Sequence, residues 1–234
     1  MTQVVRRGYV PSDEKEFKDV TLKTLKAAGE DLFYLLNRGY KIKGASTLIG
    51  NHYMLSERQR LALARTISPQ EDLRIRQEKE CLIPPQGVAI DGFNTIITLE
   101  VALSDSLLIK GMDGTIRDLA GLRGTYRLID KTPLAIELLL ETLQQNQVKK
   151  AQIFLDAPVS NSGRLKSLIL ELAVAYSLQV QVEVISEVDS ILSTMSGVIT
   201  SDAIILNHCN SWWNLGKEII ENKLPNSWLV DFVH

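Results

Sequence analysis

The chain has 234 residues, 45% hydrophobic and 23% charged, with 26 Lys+Arg against 28 Asp+Glu. That balance suits a globular protein with room for one large domain or two modest ones, and no apolar stretch approaches the ~20 residues of a membrane-spanning helix. Cys81 and Cys209 lie far apart without metal-ligand spacing, and no apolar segment follows the N-terminal charges, so a cytoplasmic protein without disulfides is expected.

The first part reads as helical. Ser12-Asp-Glu-Lys-Glu supplies a cap and a first turn of acids, and Phe17, Val20, Leu22 and Leu25 continue at roughly helical spacing toward Leu36, with Gly39 as the stop. Two short helices are predicted over 44–52 and 56–66, the second opened by the capping box Ser56-Glu-Arg-Gln59, and a third over 69–80. Pro84-Pro85 then marks a domain boundary. Residues 1–85 carry 15 basic against 11 acidic side chains, a balance of +4, and residues 86–234 carry 11 against 17, a balance of −6. A small basic all-α module followed by an acidic domain is therefore expected, and basic modules commonly meet polyanions. The two short helices have the outline of a helix-turn-helix.

From residue 86 onward, strands and helices alternate. Strands are predicted over 88–90, 151–155, 180–185, 197–200 and 228–232, and helices over 95–103, 133–144, 162–176, 188–194 and 211–222. Strands separated by helices imply a mostly parallel sheet covered on both faces, an α/β domain. Between the first of these helices and Pro133 lies a segment with Asp113-Gly114, Gly121 and Gly124 that carries Arg117, Arg123 and Arg127.

Three strands end in a carboxylate: Val88-Ala-Ile-Asp91, Ile153-Phe-Leu-Asp156 and Val198-Ile-Thr-Ser-Asp202. In a parallel sheet the carboxyl ends share one edge, so the three acids should converge there. Carboxylates without His or Cys suit a hard cation such as Mg²⁺. Asp189 follows the strand over 180–185 near the same edge, as a further ligand or a first-turn acid, and Glu137 lies in an otherwise apolar helix face, reaching the cluster or facing solvent. Asn94 either orients a ligand or caps a helix, and Thr200-Ser201-Asp202 suits a cap as well as a site. Ser160-Asn161-Ser162-Gly-Arg164 is a candidate phosphate cradle, with Arg117, Arg123 and Arg127 as candidate phosphate partners. Lys41, Lys43, Arg58, Arg60 and Arg65 are the candidate nucleic-acid contacts of the basic module.

Walker A, G-x-G-x-x-G, G-x-S-x-G and H-E-x-x-H strings are absent, and His52, His208 and His234 share no ligand spacing. Val88-Ala-Ile-Asp-Gly-Phe-Asn94, Phe154-Leu-Asp156, Glu187-Val-Asp189 and Val198-Ile-Thr-Ser-Asp202 resemble, in order and strand context, the acidic motifs of PIN-like and NYN-type ribonuclease domains. The whole chain resembles a prokaryotic family of two adjoining domains of unknown function. The resemblance implies a three-layer PIN-like domain over 86–234, with Mg²⁺ or Mn²⁺ held at Asp91, Asp156 and Asp202 and Asp189 and Glu137 as additional acids. It also implies phosphodiester hydrolysis, on RNA ahead of DNA. The rival expectations are a non-catalytic nucleic-acid-binding or scaffold protein whose acids only cap helices, and a nucleotide-binding α/β domain.

Overall fold

The structure is a computed structural model that describes residues 5–121 and 124–233. Its N-terminal region is built from α1 (Asp13–Glu16), α2 (Asp19–Asn37), α3 (Ile42–His52), α4 (Glu57–Thr66) and α5 (Gln70–Lys79). The continuous first helix expected from Ser12 is broken at Phe17, whose ring is buried, while Asp13 turns inward to a salt bridge with Arg58 instead of serving the helix end. The capping box at Ser56 forms as the sequence predicts: the Gln59 amide donates to Ser56 Oγ (3.2 Å) and the Ser56 amide to Gln59 Oε1 (3.1 Å).

The α/β region follows in the order β1 (Gly87–Asp91), α6 (Gly92–Ala102), β2 (Leu108–Lys110), β3 (Ile116–Asp118), α7 (Thr132–Gln145), β4 (Lys150–Asp156), α8 (Ser162–Ala173), β5 (Gln179–Ile185), α9 (Val188–Leu192), β6 (Val198–Ile199), α10 (Ala203–His208), α11 (Leu215–Lys223) and β7 (Leu229–Val230). One sheet has the order β5-β4-β1-β6, and all its pairings are parallel. Ile90, Ile153 and Leu155 are fully buried between its helical layers, as strands covered on both faces require. Gly92 admits this packing at its tightest point, because a Cβ there would meet the Phe154 carbonyl oxygen at 2.8 Å.

Three features depart from what the sequence predicts. The strand expected over 228–232 does not join the parallel sheet; as β7 it pairs with β2 in a second sheet of order β3-β2-β7. β2 and β3 form an antiparallel hairpin over the stretch that reads as an irregular arginine-bearing segment, with Gly114 at positive φ in the turn. Asp113-Gly114 between Leu108-Ile-Lys and Ile116-Arg-Asp is the hairpin signal, but three-residue strands are too short to show period-two alternation. The helix expected over 211–222 begins only at Leu215, since Trp212 is buried and its indole donates to the Arg76 carbonyl oxygen (2.7 Å).

The second sheet joins the two regions. Leu25, Leu32, Ile49 and Leu63 of the helices share one hydrophobic core with Leu107, Ile109, Leu119, Val230 and Phe232. Among the described residues no helix is long and apolar enough to cross a membrane.

Candidate active site

The carboxyl-terminal edge of the parallel sheet opens into a cleft of about 670 Å³ that Asp91, Asp156, Asp189 and Asp202 all line. Its opposite wall comes from the N-terminal helices and the hairpin and includes Leu36, Ile42, Arg65, Arg76 and Arg117. Each acid is placed by its element. Asp91 is the last residue of β1 and the N-cap of α6, accepting from the Asn94 amide at 3.4 Å, and its other oxygen accepts from Thr200 Oγ1 at 2.9 Å. Asp202 caps α10 through one oxygen, which takes the amides of Ile204 (2.8 Å) and Ile205 (3.2 Å); among the described residues no donor meets the second. Asp156 ends β4, and Asp189 stands in the first turn of α9.

These acids feel one another. Burial pushes the Asp91 carboxyl up to about 7; hydrogen bonds from Thr200 and the Asn94 amide oppose the shift, and the charges of Asp202 and Asp156 add to it. Asp156 is raised by burial and then by Asp189, and Asp189 by burial and then by Asp202. A cation would relieve this repulsion, and the all-oxygen donor set fits Mg²⁺ or Mn²⁺. Among the described residues, however, no three His, Cys, Asp or Glu side chains are gathered closely enough to hold a metal ion as they stand.

Asn94 neither caps α6 nor leaves its carbonyl oxygen to a ligand. That oxygen accepts the Ser201 amide (2.8 Å) and hydroxyl (3.0 Å), stitching the turn after β1 to the turn after β6. Beneath that turn lies an ion network. Asp113 bridges Arg76 (2.6 Å) and Arg117 (2.5 Å), and all three side chains are almost completely buried. Burial alone would raise the Asp113 carboxyl, but the two guanidiniums outweigh it and hold the group below the usual carboxylate range. Arg117 also donates to the carbonyl oxygens of Ser201 and Arg65, both at 2.7 Å, so one guanidinium ties the acidic edge to the N-terminal helices. Arg76 has no sequence signal, since it sits in a charge-rich helix that reads as solvated.

Two family profiles match the chain. One, a domain of unknown function (DUF5616), covers residues 83–218, and the other, a protein of unknown function (DUF434), covers residues 24–79. The chain belongs to the DUF5616 family. An uncharacterized protein of Methanocaldococcus jannaschii is 34% identical over 190 residues, which is 80% of this chain and 91% of the relative. No solved structure matches. Within this DUF5616 chain the match begins just before β1 and spans all four acids of the cleft.

The remaining candidate residues are not gathered there. Glu137 lies on α7, beside Tyr176 of the segment after α8, and does not line the cleft. The Ser160–Arg164 segment holds the chain around Tyr126: Ser160 Oγ accepts the Tyr126 amide (2.9 Å), Asn161 donates to the Tyr126 carbonyl oxygen (2.7 Å), Ser162 starts α8, and Arg164 is exposed. Arg127 is exposed, and Arg123 lies outside the described residues. Of the basic module, Lys41 and Lys43 are exposed and Arg65 lines the cleft. Arg58 and Arg60 point into the protein, Arg58 to Asp13 and the carbonyl oxygens of Gly8 and Leu119, Arg60 to Leu55 O and Asn51 Oδ1. These guanidiniums are occupied because each satisfies backbone oxygens that the local turns leave unpaired.

Proposed function

We propose that this protein is a Mg²⁺- or Mn²⁺-dependent nuclease of PIN-like architecture that cleaves single-stranded RNA in the cleft. The observation that carries the reading is Asp91: a buried strand-end carboxylate raised to about 7, with the charges of two further strand-edge acids acting on it. A structural cap has no need of such company, whereas a cation site does. Asp91, Asp156 and Asp202 would hold the ion, with Asp189 beside them. Bound there, the ion supplies Lewis-acid stabilisation of a phosphodiester and a nucleophilic water at neutral pH. The chain's own residues do the rest. Asp189, exposed and with its proton affinity raised, is placed to accept a proton at the mouth of the cleft. Arg65, bonded to the Asp118 carbonyl oxygen but only half-buried, keeps donors for a phosphate. Arg117 and Asn94 hold the Thr200–Asp202 turn in place. Leu36 and Ile42 give the facing wall an apolar surface suited to an unstacked base.

The test is cleavage of labelled single-stranded RNA with Mn²⁺ by the wild type and by a D91N/D156N double variant, alongside filter binding. The variant should lose cleavage while binding persists or tightens, because removing two carboxylates reduces repulsion of phosphate. Cleavage that survives the double substitution rules out this site. A wild type that binds RNA but never cuts it with either metal establishes the second reading, a non-catalytic RNA-binding protein, which the helix-capping bonds of Asp91 and Asp202 favour.

A further inference from the structure

β5 is an edge strand, and among the described residues no other strand meets its outer side. All seven of its residues stand in register with the seven of β4, so no bulge twists the edge away, and it contains neither lysine nor proline. Natural edges are usually protected by a bulge, by proline or by charge, lysine above all, unless something pairs with them, and of these β5 has only Glu183.

The backbone fixes which groups are left open. The Gln179 amide donates to Lys149 O (2.9 Å), and Ile185 O accepts from the Ala157 amide (2.8 Å). The odd-numbered residues of β5 therefore turn their backbone groups to the β4 side, and Val180, Val182 and Val184 turn theirs outward. An antiparallel second copy of the strand, with the two-fold axis at Val182, satisfies every one of them: Val182 pairs with its own mate and Val180 with the mate's Val184, each as a hydrogen-bonded pair. The side chains agree with this register. It sets Gln181 opposite the mate's Glu183, which extends the cross-strand bond already present, where Gln152 Nε2 donates to Glu183 Oε1 at 2.7 Å. No acid faces an acid. Beside the edge, α8 packs on β5 with Leu168 and Leu172 turned to the core, while Leu170 and Val174 on its opposite flank are 38% and 86% exposed.

We propose that two copies of this chain associate through β5, forming one continuous eight-stranded sheet. The strands run antiparallel across the axis, so the two carboxylate edges face opposite ways and each cleft is complete in its own subunit. The inference is independent of any reaction in the cleft.

The test is light scattering and sedimentation over a concentration series for the wild type, Q181E and Q181K. Gln181 is exposed, so neither substitution touches the valine face under α8. The wild type should be dimeric. Q181E sets two like-charged pairs across the axis and should raise the dissociation constant about tenfold, and Q181K, opposite Glu183, should lower it by a similar factor. A monomer at the highest attainable concentration overturns the proposal. So does a dimer whose dissociation constant does not respond to the two variants, or moves the same way in both.

Discussion

Asp91 releases its proton near 3.8 when the chain is unfolded and near 7 in the folded protein. Between those values the folded state binds a proton that the unfolded state has lost, so stability falls as pH rises through the window, by at most about 1.4 kcal/mol per pH unit. Urea unfolding of the metal-free protein between about pH 4 and about pH 8 should show this slope, and D91N should flatten it, since Asn keeps the cap and the Thr200 bond without a charge. Above about pH 7 D91N should be no less stable than the wild type. Mn²⁺ should stabilise the wild type by about 2.7 kcal/mol at a hundredfold excess over its dissociation constant, and D91N by less, read as a shift in melting temperature. Asp113 has the opposite sign. Its lowered proton affinity stabilises the fold above the unfolded carboxylate range and is lost as pH falls through its folded value. D113N leaves the Arg117 guanidinium buried without a counter-charge and Arg76 with only Asp72 at 3.6 Å, and should cost ~3–5 kcal/mol in denaturant unfolding.

At the level of elements, α4 and the start of α3 have separable roles. Arg58 on its first turn ties it to Asp13, Gly8 and Leu119, so R58A strands a buried aspartate and should cost ~3–5 kcal/mol of stability. At the start of α3, Lys41 and Lys43 are free in solvent. Their double replacement by alanine should leave unfolding unchanged and reduce the log–log salt slope of single-stranded RNA binding by about 1.4, roughly 0.7 per lost phosphate contact. Positive charge in this module is thus divided between side chains that hold the fold and side chains open to a partner, and a count of basic residues does not separate the two.

For the molecule as a whole, the shared core of the helices and the second sheet makes Pro84-Pro85 a boundary of sequence and not of folding. Fragments 1–84 and 85–234 expressed alone should each expose that core. Far-UV circular dichroism and amide dispersion should show the first without stable tertiary structure and the second prone to association, with both restored on co-expression.

Legible in the chain alone were the parallel strands of the larger sheet, their sequence order, the Ser56 cap, the ends of β1 and β4 at Asp91 and Asp156 and the place of Asp202 just past β6, because hydrophobic runs bounded by turn residues are local signals. It also placed four acids near one sheet edge, since parallel strands share their carboxyl ends. That β7 leaves that sheet for the hairpin emerges only in three dimensions, as strands of two or three residues take their identity from their neighbours. Tertiary structure likewise turned Arg58 and Arg60 inward and Asn94 toward Ser201, and buried Arg76 beside Asp113. A guanidinium or an amide reads the same in a sequence whether it faces solvent or a lone carbonyl oxygen. The chain that folds back against it, tens of residues away, settles which.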